Sequence, residues 1–117
     1  MAITLNASSG ITTPSVSLTG VARGAATTDN DLSFSLAATN NFICTPTAGG
    51  ALTFTDLAAN QAGFILLTNT ANYLITAAAT TKIAATDLAT ISATGVYLLS
   101  YFCSGSFVYV VVSRSFA

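Results

Sequence analysis

The sequence has no histidine, no glutamate and no tryptophan, and its seven charged side chains are Arg23, Lys82, Arg114, Asp29, Asp31, Asp56 and Asp87. Each absence excludes a class of chemistry. Without His there is no Ser/His/Asp triad. Without His or Glu, and with only the distant Cys44 and Cys103, a catalytic zinc centre lacks ligands. A carboxylate pair for glycoside hydrolysis would have to come from the four aspartates. Asp29 and Asp31 lie closest, but they flank Asn30, and such a run reads as a turn held by side-chain-to-backbone hydrogen bonds. A calcium loop would also need a central Gly and a distal Glu, which are missing. Gly49-Gly50 has no Lys after it, and residues 20–24 do not lead into a helix, so there is no phosphate loop. The sequence therefore points away from an enzyme and implies no cofactor and no metal.

Charge is equally scarce as a surface feature. Charged residues make up 6% of the chain, against roughly 25% in an ordinary soluble domain. A compact monomer of this mass would expose about 5,900 Å², or roughly one charge per 800 Å². That is too sparse for a well-dispersed monomer. Thr, Ser and Asn supply the remaining polarity, and these groups bury readily when hydrogen-bonded. The balance suits an interface better than a free surface. A net charge of −1 offers nothing to nucleic acid, which calls for clustered Lys and Arg. Residues 88–113 are uncharged but are interrupted by Gly95 and Ser104-Gly105-Ser106, a poor pattern for a membrane helix. The N-terminal Met-Ala-Ile-Thr-Leu-Asn has neither the basic nor the long apolar region of a signal peptide. Cys44 and Cys103 sit in apolar segments and read as buried free thiols, since nothing indicates an oxidising compartment.

Residues 1–30 contain Gly10, Pro14, Gly20 and Gly24, many Ser and Thr, and scattered aliphatics. They read as an extended arm with little core of its own. Ile3, Leu5, Ile11, Val16, Leu18 and Arg23 are its candidate contacts with neighbouring chains. From residue 31 to 117 the signals are β. Leu32, Phe34 and Leu36 alternate with small residues, as do Leu52 and Phe54. Phe42-Ile43-Cys44, Phe64 to Thr68 and Tyr73-Leu74-Ile75 are further strand candidates, with Ile83 in a short segment beyond them. Val96 to Cys103 and Phe107 to Val112 are joined at Ser104-Gly105, a plausible hairpin turn. Residues 56–60 and 86–90 could each form a turn or two of helix. About eight strands with turns at roughly ten-residue intervals predict an antiparallel β-sandwich, jelly-roll-like, carrying the N-terminal arm.

The last hairpin loses its alternation. One face of its second strand carries Phe107, Tyr109 and Val111, the other Val108, Val110 and Val112. Both faces need cover. A core covers one, and a second subunit is the expected cover for the other. Phe107, Val108, Tyr109, Val110 and Val112 are therefore the candidate oligomer interface.

Residues 50–112 resemble a module found in head fibres, capsid decoration proteins and tail-fibre ends of tailed bacteriophages. The matching features are Gly63-Phe64-Ile65-Leu66-Leu67-Thr68-Asn69, then Tyr73-Leu74-Ile75-Thr76, then Gly95-Val96-Tyr97-Leu98-Leu99-Ser100-Tyr101 and Phe107-Val108-Tyr109-Val110-Val111. Where such modules often carry Trp near the second hairpin strand, this chain has Phe107 or Tyr109. The resemblance implies a small β-sandwich, often a homotrimer, on a virion assembled in the host cytoplasm. The function it suggests is capsid decoration, with the major capsid protein or another virion protein as partner. A receptor-binding fibre tip and a self-assembling fibre or tube subunit remain alternatives.

Overall fold

A computed structural model describes residues 14–116. Among these, nine strands and one helix follow in order: β1 (Ala26–Thr28), β2 (Ser33–Ser35), β3 (Asn41–Cys44), β4 (Gly50–Thr55), β5 (Ala62–Asn69), β6 (Ile75–Ala77), β7 (Thr81–Ile83), α1 (Ala85–Ile91), β8 (Gly95–Cys103) and β9 (Val108–Val112). They form a six-stranded sheet ordered β1-β3-β5-β8-β9-β7 and a three-stranded sheet ordered β2-β4-β6.

From β1 to β6, successive strands alternate between the two sheets, so each pairs in parallel with strands two places away in its own sheet. Thr27, Phe42 and Ile65 stack across β1, β3 and β5. On the opposite side, Ser33 to Ser35 pair with Thr53 to Thr55, and Gly50 to Leu52 pair with Ile75 to Ala77. The chain thus winds as a parallel β-solenoid of about three turns. This overturns the expected antiparallel sandwich. The physical reason is that a strand half-buried between a core and an outer face alternates with period two whatever the direction of its neighbour. Short turns at ten-residue spacing read as hairpins, but here they are solenoid corners. Several corners use left-handed backbone, at Leu32 (φ 66°), Asp56 (φ 53°), Asn60 (φ 69°) and Asn72 (φ 52°), where a single residue redirects the chain. Asp56 and Asn60 lie in the segment expected to be helical, and that segment is such a corner.

Only the end of the chain behaves as a sandwich would. β8 returns antiparallel beside β5, and β9 folds back antiparallel on β8. The turn between them uses Gly105 at φ 103°, a conformation that glycine adopts without strain. α1 closes this end of the solenoid. Leu88 and Ile91 put one helix face against the core, and Asp87 sits in the first turn, where the helix dipole favours a carboxylate.

The core lies between the sheets. Phe34, Phe42, Phe54 and Tyr101 form its centre, with ring centroids 5.0 to 6.5 Å apart. They come from β2, β3, β4 and β8, so this cluster ties the two sheets together. The Tyr101 hydroxyl donates to the Asn40 carbonyl at 2.6 Å, which gives the polar tip of a buried ring its partner. Cys44 and Cys103 are both free and fully buried. Cys44 aligns with Leu67 and, through it, with Tyr97, six positions from Cys103 along β8.

Asn69 joins the last full solenoid turn to the helix. Its amide donates to the carbonyls of Tyr73 and Ile91, each at 2.9 Å, and its carbonyl oxygen accepts from the Tyr73 and Ala71 amides. Every hydrogen-bonding position of this buried side chain is filled.

Candidate interaction surface

The inner face of the six-stranded sheet is the core; its outer face is also apolar. The register gives three rows across it. One runs Lys82, Tyr109, Phe102, Ala62. The next runs Val111, Ser100, Phe64 and then Asn41, the residue one step before the Phe42–Ile65 pair. The third runs Leu98, Leu66, Ile43, Thr28. Seven large apolar side chains on these rows are each between 36% and 66% exposed. Phe107, just before β9, extends the surface, with the Lys82 ammonium 4.7 Å from its ring centroid. Lys82 lies on the edge strand, so the interior of the face carries no charge.

The local sequence explains this surface. In β5, Phe64-Ile65-Leu66-Leu67 is apolar at every position. Ile65 and Leu67 fill the core, which obliges Phe64 and Leu66 to stand outside. In β8, Tyr97, Leu99, Tyr101 and Cys103 point inward and Leu98 and Phe102 outward. An isolated exposed Leu is ordinary. Here the residues are contiguous, and taking about 200 Å² for each large side chain, their exposed fractions amount to on the order of 700 Å². That exceeds the roughly 300–600 Å² of the largest apolar patch on a typical monomer.

The residues expected at an interface divide by parity. Phe107 and Tyr109 lie on the outer face, while Val108 and Val110 are buried in the chain's own core and Val112 packs partly against it. The molecule itself therefore covers Val108 and Val110. Ile43, Phe64, Leu66, Leu98, Phe102 and Val111 belong to the surface but were not among the expected interface residues. For Phe64, Leu66, Leu98 and Phe102 the signal was the loss of alternation in β5 and β8, and for Val111 the same loss in β9; Ile43 on β3 carried no such signal. In the arm, Val16 and Leu18 are exposed, as is Arg23. Ile3, Leu5 and Ile11 lie outside the described residues. Residues 26–28, counted with the arm on sequence, form the first strand of the six-stranded sheet.

Asp29, Asn30 and Asp31 line an open cleft with Thr47, Ala48 and Gly49. Asn30 Oδ1 accepts from the Thr45 amide at 2.8 Å, and Asp31 Oδ1 accepts from the Ser33 amide at 2.9 Å. These are turn bonds. The two carboxyls share a hydrogen bond that raises Asp29 and lowers Asp31 from the ordinary carboxylate range. Among the described residues, no three His, Cys, Asp or Glu side chains gather where they could hold a metal ion. No helix among them is long and apolar enough to cross a membrane.

Comparison of the chain with protein-family models, curated proteins and solved structures finds no match in any of the three.

Proposed function

We propose that this chain is a non-enzymatic structural subunit, buried in a larger protein assembly through the outer face of its six-stranded sheet. The observation that carries this reading is the contiguous, charge-free apolar face centred on Phe64, Leu66, Leu98 and Phe102. A surface of that kind is an aggregation hazard on a free monomer and an asset in an assembly. The scarcity of charge over the whole chain points the same way.

The setting we assign is a virion, with the chain decorating or cementing a capsid. Its support is the sequence pattern of residues 50–112, whose apolar strand and final hairpin are β5 and β8–β9. Copies of the chain and a capsid protein are the partners, and the apolar Val16 and Leu18, exposed in the arm, are assigned to the capsid contact. Purified virions are expected to contain the chain at a fixed copy number and to lose it in the Val16→Asp/Leu18→Asp double variant. Full retention of that variant would contradict the arm's role, and absence of the chain from particles would contradict the setting. A chain that stays monomeric at every concentration, with its sheet face open to solvent, would contradict the assembly role itself.

A further inference from the structure

We infer that the occupant of the outer sheet face is the same face of a second copy, packed sheet on sheet about a two-fold axis. This rests on the assembly role proposed above and specifies its partner. Three observations lead to it.

The first is area. The exposed apolar side chains supply on the order of 700 Å² from one copy, close to the roughly 800 Å² per partner of a standard stable interface. The face needs no further surface to make a specific dimer.

The second is charge. The three rows carry no ionisable group except Lys82 at the sheet edge and the phenol of Tyr109. A partner presenting charges here would have to desolvate them without a counter-ion. A second copy presents none in the interior of the face, only its own Lys82 at the edge. Its Ser100 and Asn41 are the polar groups on the middle row, and they are compatible with one another across the junction.

The third is number. Among the described residues, this is the one apolar patch of such size; the other exposed large aliphatics and aromatics are Val16, Leu18 and Val21 in the arm, Leu74 in a turn and Phe116 near the terminus. A ring of three joins two different patches on each subunit, whereas a patch that meets itself generates a two-fold. One patch therefore specifies a dimer, not the trimer that the resemblance implies. Facing sheets stack about 10 Å apart with interleaved side chains. The alternation of large Phe64, Leu66 and Phe102 with small Ser100 and Ala62 leaves room for that interleaving.

The test is sedimentation equilibrium of the full chain at micromolar concentration, with far-UV spectra of every variant. The wild type is expected at twice the 11.8 kDa chain mass. Leu66→Lys and Val111→Lys are each expected to halve the mass with an unchanged spectrum, and Val16→Asp/Leu18→Asp to remain dimeric. A dimer that survives both face substitutions overturns the inference, as does unfolding of both. Loss of the dimer in the arm variant also overturns it, because the face would then be covered by a neighbour's arm. A three-fold or open-ended assembly that dissociates on Leu66→Lys removes the two-fold and leaves the assembly role standing. A monomer at all concentrations removes both.

Discussion

Leu66 on β5 lies directly opposite Leu98 on β8, and both side chains stand on the outer face of the sheet, more than a third exposed. Their sequence neighbours Leu67 and Leu99 point the other way and are fully buried. Two adjacent strands thus hold leucines on both faces. The inner set builds the core. The outer set adds nothing comparable to a lone molecule's stability, and it is the surface that the proposed assembly would cover.

Parity along β9 separates folding from assembly. Val108 is fully buried and Val111 is two-thirds exposed, three positions away on the opposite face. Val108→Asp leaves an unpaired carboxylate in the core and is expected to abolish the folded state, at about 4 kcal/mol or more. Val110→Asp behaves alike. Val111→Asp is expected to keep the thermal unfolding of the monomer within about 0.5 kcal/mol and to weaken assembly. Far-UV spectra and sedimentation of the variants check this; equal effects at 108 and 111 would contradict the face assignment.

Asn69 offers a second check, on the join between solenoid and cap. Asn69→Ala strands the buried Ile91 carbonyl and frees the turn that follows β5. The expected loss is about 2–4 kcal/mol in chemical denaturation, since several buried bonds go together. A loss under about 0.5 kcal/mol would mean that the turn and α1 are not coupled.

Gly63 tests the tightness of the β3–β5 corner. A Cβ there would fall on the Asn40 carbonyl oxygen, 1.9 Å away, and that oxygen also receives the Tyr101 hydroxyl. Gly63→Ala is expected to destabilise by about 2–3 kcal/mol, whereas Gly20→Ala, with nothing within 4 Å, is expected to be neutral. Comparable thermal midpoints for the two would contradict the packing described.

Alkaline pH should weaken the fold. Burial pushes the Cys44 thiol up to about 11, from an ordinary value near 9.0. Burial also raises the Tyr101 phenol. Below the ordinary thiol value both folded and unfolded chains hold the proton, and stability is flat. Between there and the folded value only the unfolded chain has lost it, so stability falls as pH rises. For Cys44 the drop is on the order of 2 kcal/mol across the window. Denaturation midpoints measured from pH 7 to 11 are expected to decline above pH 9, and less steeply in Cys44→Ala. A flat profile would place the thiol in water.

Lys82→Ser is expected to be mild. It removes the ammonium from over Phe107 and its hydrogen bond to the Ala79 carbonyl, worth about 0.5–1 kcal/mol at an exposed site. A larger thermal shift would give Lys82 a structural role that its position on an edge strand does not suggest.

Most strands were legible in the sequence, because alternation in 32–36 and 52–55 and the apolar runs in 64–68 and 96–112 depend only on which residues meet the core; β1, counted with the arm, was not. Their pairing was not. Phe42 pairs with Ile65 across a whole solenoid turn, and no local feature of either residue marks the partner as parallel. The short helix expected at 86–90 is present as Ala85–Ile91, although its N-cap is Ala84 and makes no side-chain capping bond. The helix expected at 56–60 failed because Asp56 and Asn60 take left-handed backbone at a corner. A second apolar face was legible in the terminal hairpin. Its extent was not, since Ile43 on β3 joins that face only through the sheet order.

Hydroxyl-radical footprinting of the assembled chain tests the central claim most directly. In a single copy Phe64, Phe102 and Tyr109 are each close to half exposed. Assembly is expected to protect all three strongly and to leave Leu74, remote in its turn, as reactive as its exposure dictates. Reactivity of Phe64, Phe102 and Tyr109 in proportion to their single-chain exposure, at concentrations where the chain is fully associated, would contradict burial of this face.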